Sequence, residues 1–285
     1  MEPYKPMIYK NLIALIICLG IFLLGFILKG NLSLYFNIAG FMVVVGGSAA
    51  AAVVSYGIHR LVIVYRVTKY SYKGEATSEK EIISILMDLS IRSKVQGILA
   101  LQEHESEIST LFLRRALGCL VDGFKPDEIR DVLNTEMYFF KLRRDEVERV
   151  LRTIGNFLPA FGIVGSVVGL ISMLAGIGDT SVILSAVPVA LTSTLYGIAL
   201  SNFLFIPFAE NIRERTKQEL LLQKIIIDGV IAIETEANPR LLESKLQSFL
   251  TPSERSDELV SYHQIIKRFK LKHDEEKAQK SNTPS

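Results

Sequence analysis

Long stretches of this 285-residue chain carry no charge at all. Asp, Glu, Lys, Arg and His are absent from residues 12–28, 32–58, 153–178 and 180–209. Hydrophobic residues make up 49% of the sequence and charged residues only 22%, a combination with long charge-free runs that soluble domains rarely show. A helix needs ~20 apolar residues, at ~1.5 Å rise each, to cross ~30 Å of hydrocarbon. Each run reaches or approaches that length, so four transmembrane helices are predicted. The second run follows the first after only a few residues, with no clear small-x-small cleavage site between them. A retained hairpin is therefore expected in place of a signal peptide.

Catalytic and metal-binding patterns are missing too. There is no phosphate loop, nucleophile elbow or zinc spacing. His59, His104, His263 and His273 are scattered, and none has a second ligand-type residue at metal spacing. The carboxylates lie among basic residues on segments that read as solvated helix faces, which gives an enzyme no support. A net charge of +2 carries no sign of nucleic-acid binding. The two cysteines, Cys18 and Cys119, fall in an apolar run and in the polar middle region. They are expected to be small buried hydrophobes, not a disulfide. No internal repeat or low-complexity tract is present.

The charges that remain set a topology, because Lys and Arg mark the cytoplasmic side. Lys5 and Lys10 precede the first run, and Arg60, Arg66, Lys69 and Lys73 follow the second. Arg143, Arg144, Arg149 and Arg152 precede the third, and Arg213, Arg215 and Lys217 follow the fourth. The two outer turns hold only Lys29 and Asp179. Both termini are thus expected inside. The expected divisions are a transmembrane hairpin (1–59), a cytoplasmic helical domain (60–152), a second transmembrane hairpin (153–209), a helical extension (210–250) and a polar tail (251–285).

The cytoplasmic segments read as helices. Thr77 and Ser78 are candidate caps before an acidic turn, and Ile82, Ile83, Leu86 and Leu89 follow at helical spacing. Pro126 suits a first helical position, with Asp127 and Glu128 against the positive end of the dipole. With no strong stop before the third apolar run, one long helix is predicted there, bent at Pro159. The fourth run is predicted to continue along a stripe of Leu220, Leu221, Ile225, Ile226, Val230 and Ile233, ending at Asn238 and Pro239.

The third run is rich in residues that weaken helices in water. On a helical wheel, Gly155, Pro159, Gly162, Ser166, Gly169, Met173 and Gly176 form one nearly continuous face of mostly small residues, and Gly165 and Gly169 make a GxxxG. Ala190, Thr194, Gly197 and Ser201 make a similar face in the fourth run. Helices in lipid associate through close backbone approach and van der Waals contact. Two small faces suggest either packing within the chain or a wall for an inserted partner helix. Ion pathways usually contain an ionisable intramembrane group, and these runs have none. If the chain lines such a path, the carboxylate must come from a partner.

The stretch "LPAFGIVGSVVGLISML", followed by "VALTSTLYGIALSNFLFIPFAENI", resembles the MotA/PomA stator subunits of the bacterial flagellar motor, within the MotA/TolQ/ExbB channel family. The resemblance covers residues 11–250, and two apolar runs before the large middle region favour the motor branch. It implies an all-α, polytopic inner-membrane protein that is not an enzyme and needs no cofactor beyond the translocated proton or sodium ion. It further implies a homopentamer around a MotB-like single-span partner that carries the ion-binding Asp, with torque applied to the rotor protein FliG.

The resemblance also implies roles for particular residues. Pro159, Gly162, Ser166, Gly169, Ala190 and Thr194 would line the ion path. Pro159 and Pro207 would couple ion flow to movement, and carbonyls freed near Pro159 could join Ser166 and Thr194 as ion ligands. The rotor contact departs from the family pattern of an Arg and a Glu: Lys94 and Gln102 stand there, with Glu103 and Glu105 nearby. Lys94 and Glu105 would share a face if the helix ran unbroken through Gly97. Ion-driven energisers of other machines, in gliding or outer-membrane transport, and passive membrane scaffolds are the alternatives.

Overall fold

The computed structural model describes residues 35–73, 77–107, 110–235 and 238–250, with scattered positions between 17 and 28. Most of the first apolar run lies outside the described residues, as do Cys18, the side chains of Glu103 and Glu105, and the tail from 251. Among the described residues every regular element is helical, with no strand. In order they form α1 (Ile38–Lys73), α2 (Glu79–Gln96), a 3₁₀ segment (Ile98–Glu107), α3 (Leu111–Val121), α4 (Pro126–Ala175), α5 (Thr180–Leu200), a π turn (Ser201–Phe205), α6 (Ile206–Glu234) and α7 (Pro239–Gln247). Three helical stretches are long and apolar enough to cross a membrane: Ile38–Ser71, Pro126–Ala175 and Thr180–Glu234.

Local chemistry explains where these helices begin. The Ser78 hydroxyl accepts the Glu81 N–H at 3.2 Å and caps α2. Pro126 opens α4, where its missing N–H is harmless, and the Glu128 carboxylate accepts the Lys125 N–H at 2.9 Å. The Asp179 carboxylate caps α5, accepting from the Ser181 N–H at 2.8 Å and the Ser181 hydroxyl at 2.6 Å. Those bonds hold its carboxyl below the usual aspartate range.

Two predicted boundaries change. Asn238 and Pro239 do not end the fourth-run helix but start α7: the Asn238 side chain accepts the Arg240 N–H at 3.0 Å, with Pro239 in the first helical turn. Capping and stopping use the same residues, so the order of events was ambiguous in the sequence. The run from the fourth apolar stretch into α6 is likewise interrupted by the π turn. Within α1, Gly57 adopts φ 72°, ψ 153°, a non-helical break.

The chain divides into two units. One comprises residues 1–66 and 149–210, the other 67–148 and 211–285. The second unit has an aliphatic core: Ile82, Ile83 and Leu86 of α2, Leu113, Leu117 and Leu120 of α3, Ile129 and Leu133 of α4, Ile225, Ile226 and Val230 of α6, and Leu242 and Leu246 of α7. The predicted stripe of α6 is buried from Ile225 onward and widened by Leu222 and Ile227, while Leu220 and Leu221 are half-buried. Cys119 is buried in this core and unpaired; burial pushes its thiol above the usual range.

Candidate functional site

In the first unit, the small face of α4 is taken up by its own neighbours. A Cβ at Gly162 would lie 3.1 Å from the Ser193 carbonyl oxygen and 3.2 Å from the Thr194 Cα. At Gly169 it would lie 2.6 Å from the Ala190 backbone nitrogen. Gly155 receives the Ile206 side chain, and Gly176 receives Val182. From the other side, a Cβ at Gly197 would sit 2.5 Å from the Leu158 carbonyl oxygen. This is packing within the chain. Gly162 and Gly169 thus take the first of the two alternatives, packing within the chain, while Ser166 of the same face lines a cleft.

The recurrent motifs acquire distinct tasks. In "PAFGIVG", the Phe161 ring fills the place of a side chain at Gly47 of α1, where a Cβ would come within 2.2 Å of Cδ1. In "TLYG", Gly197 admits the α4 backbone. Tyr196 donates its hydroxyl to the Tyr35 carbonyl and accepts the Asn37 N–H at 2.7 Å. Tyr56 binds the Thr153 hydroxyl at 2.9 Å, and Thr153 in turn donates to the Arg149 carbonyl at 2.9 Å. Arg152 and Glu210, which border two charge-free runs, pair at 2.8 Å.

Beside the packed stripe lies a cleft of about 450 Å³, lined by Ser166, Leu170, Ala190, Leu191, Thr194, Leu195 and Ile198. The Ser166 hydroxyl donates to the Ala190 carbonyl at 2.5 Å and stands 2.5 Å from the Thr194 hydroxyl oxygen. A serine has one proton, so Thr194 is the donor of the second bond. The structure thus brings Ser166, Ala190 and Thr194 together, as neighbouring residues on α4 and α5. None of the lining residues is ionisable. The cleft offers two hydroxyl oxygens in apolar walls: enough to orient a polar group brought by another molecule, but no charge of its own. The four aliphatic residues of the wall were not read from the sequence; their only signal is position, Leu170, Leu191 and Ile198 one turn from Ser166 or Thr194 and Leu195 next to Thr194.

The prolines sit at helix irregularities. Pro159, inside α4, cannot donate to the Gly155 carbonyl, and the Ser201 hydroxyl does so at 2.7 Å. One lone pair of that carbonyl is therefore taken by Ser201. Pro207 is the second residue of α6, directly after the π turn, in which the Ile206 N–H bonds back to the Ser201 carbonyl. The wider turn relieves the clash a proline ring makes with the carbonyl four residues earlier.

In the second unit, Lys94 is exposed in the last turn of α2. Gly97 ends that helix with φ 86°, its N–H bonding to the Ser93 carbonyl at 2.9 Å. The chain continues as 3₁₀ helix, which carries exposed Gln102 and the backbone of Glu103 and Glu105. The unbroken face from Lys94 to Glu105 is thus absent: a positive φ that glycine adopts freely stops the helix between them. Val95 and Leu99 are exposed on either side of the break.

Residues 104–224 match the model of the MotA/TolQ/ExbB proton channel family. The chain is 30% identical over 237 residues to the chemotaxis protein PomA of Vibrio alginolyticus, covering 83% of this chain and 93% of the relative. The chain belongs to the MotA/TolQ/ExbB proton channel family. Motility protein A of Treponema phagedenis is 31% identical, with 84% of this chain and 92% of the relative covered. The C. jejuni MotAB structure superposes with a TM-score of 0.79 at 26% identity, covering 89% of this chain and 98% of that one.

Proposed function

We propose that this chain is the ion-conducting stator subunit of a flagellar motor, sitting in the inner membrane with both termini cytoplasmic and crossing it four times. Pentameric rings of it would enclose a MotB-like single-span partner and turn against the rotor protein FliG. The observation that carries this reading is the cleft at Ser166 and Thr194. Its two hydroxyls, in otherwise aliphatic walls without an ionisable group, suit a partner helix that brings its own Asp. Relatives bearing the motility-protein names favour the motor over gliding, outer-membrane transport or a passive scaffold. Pro159 and Pro207 would transmit the change at that Asp along α4 and α6 to the second unit, where Lys94, Gln102, Glu103 and Glu105 meet the rotor.

We read the translocated ion as the proton, with sodium as the alternative. A sodium ion needs several oxygens around it, whereas the cleft supplies two hydroxyl oxygens already bonded to each other and to the Ala190 carbonyl. Co-purification with the single-span protein encoded beside it, followed by copy counting and ion-flux measurement in vesicles, tests the assembly. Absence of flux in the co-assembled complex overturns the reading. Motor speed against external sodium, at fixed membrane potential and pH, tests the ion. A flat response supports protons. A saturating rise, with a saturation point that Ser166→Ala moves, makes sodium the ion and Ser166 one of its ligands.

A further inference from the structure

Ser201 joins the two prolines. A proline at 159 leaves the carbonyl four residues earlier, on Gly155, without its helical donor. In hydrocarbon no water replaces that donor, and an unpaired carbonyl is costly. The Ser201 hydroxyl donates to it at 2.7 Å, and Ser201 itself is 4% exposed. Ser201 is also the first residue of the π turn, and its own carbonyl accepts the Ile206 N–H just ahead of Pro207. One residue therefore holds both irregularities, by its side chain on α4 and by its backbone at the start of α6. The surrounding contacts keep the two close: Gly197, one turn before Ser201, abuts Leu158 and Pro159, and Gly155 abuts Phe205 and Ile206.

We infer that Ser201 is a positioning residue that substitutes for the backbone donor lost at Pro159 and latches α4 at that point to the π turn before Pro207. This rests on the torque-generating reading above, but its first test does not. Proline and serine form a complementary pair. In Pro159→Ala the residue 159 N–H regains the Gly155 carbonyl, and the Ser201 hydroxyl becomes redundant. A serine that merely fills space matters equally in both backgrounds.

The experiment is a double-mutant cycle on the full chain co-expressed with its single-span partner. Thermal unfolding of the detergent-purified complex is read first. Ser201→Ala alone should lower the folded-to-unfolded ratio about fivefold, the order of magnitude of one buried hydrogen bond. In the Pro159→Ala background the same change should have no effect. Equal losses in the two backgrounds overturn the latch whatever the motor does. Torque per stator unit is then measured in a strain lacking its own stators. Ser201→Ala should reduce torque at an unchanged number of assembled units, and Pro159→Ala/Ser201→Ala should match Pro159→Ala alone. Additive torque losses overturn the positioning role. If the unmodified chain restores no torque while the unfolding cycle is non-additive, the latch stands and the stator reading fails.

Discussion

The two units of this chain are both helical but are held together differently. In the unit of residues 67–148 and 211–285, large aliphatic side chains make the contacts, and Leu86, Leu113, Leu117 and Ile225 are fully buried. In the other unit, contacts run through glycine, alanine, serine and backbone, while Ile163, Ile171, Leu184 and Leu191 are more than half exposed. On the reading proposed above, with the first unit in the membrane and the second outside it, the solvent explains the difference. Water drives aliphatic surface inward at roughly 25 cal/mol per Å². Lipid is as apolar as leucine and provides no such drive, so helices there gain by approaching closely and by closing hydrogen bonds. The lesson concerns glycine. In the aliphatic unit Gly229 admits a large side chain, Leu86, and Gly97 stops a helix; in the other unit Gly162, Gly169 and Gly197 admit the backbone of a neighbouring helix.

The sharpest break of this contrast is Gly169→Leu. The atoms met first belong to the Ala190 backbone, which cannot swing away, so the penalty should exceed the ~1–3 kcal/mol of ordinary overpacking. The variant should reach the membrane yet neither co-purify with the partner nor support swimming. Normal swimming would refute the α4–α5 packing described above.

Next in size is truncation of the aliphatic core. Leu117→Ala, at a fully buried position, should lose about 2–5 kcal/mol of stability. Leu191→Ala, at a position 69% exposed, should change the chain's own stability by less than ~0.5 kcal/mol and act only once a partner fills the cleft. Denaturant titration of both variants, with and without the partner, checks the pair. Similar losses in the two would erase the distinction between the units.

A matched pair of glycines gives a smaller effect of opposite sign. Gly118 lies inside α3 with nothing within 4 Å of a Cβ, so Gly118→Ala should stabilise by roughly 0.5–1 kcal/mol through helix propensity. Gly169→Ala makes the same chemical change against the Ala190 backbone and should destabilise. Thermal midpoints decide the signs. The smallest effect is expected at Lys94→Glu. Single exposed charge pairs contribute ~0–1 kcal/mol, so swimming speed should fall only in part, and reversing a charge on the rotor should recover some of it. No change at Lys94 alongside a clear loss on altering Glu103 or Glu105 would shift the rotor contact onto the 3₁₀ segment.

Much of this was legible in the residues. The caps at Ser78 and Pro126 were readable because capping is local: a side chain bonds a backbone group within three residues. The long helix α4 was readable because no stop interrupts it, and the small face was readable from spacing alone. What covers that face was not, since the same stripe fits an intramolecular neighbour or a partner. The stop at Gly97 was suspected, but a glycine inside a helical pattern either stays helical or turns to positive φ, and only the surrounding fold selects.

By itself the sequence determined that the chain is helical, that it carries membrane-length apolar runs without an ionisable group, and that any charge on an ion path comes from elsewhere. These follow from composition and period, which do not depend on the neighbours. The tertiary structure alone decided that Gly162 and Gly169 are spent on α5, that Ser166 and Thr194 meet across a cleft, and that the carbonyl freed by Pro159 is taken by Ser201. Ser201 and Gly155 are 46 residues apart. No local propensity links them, and only the close approach of two glycine-bearing helices brings the hydroxyl to the carbonyl.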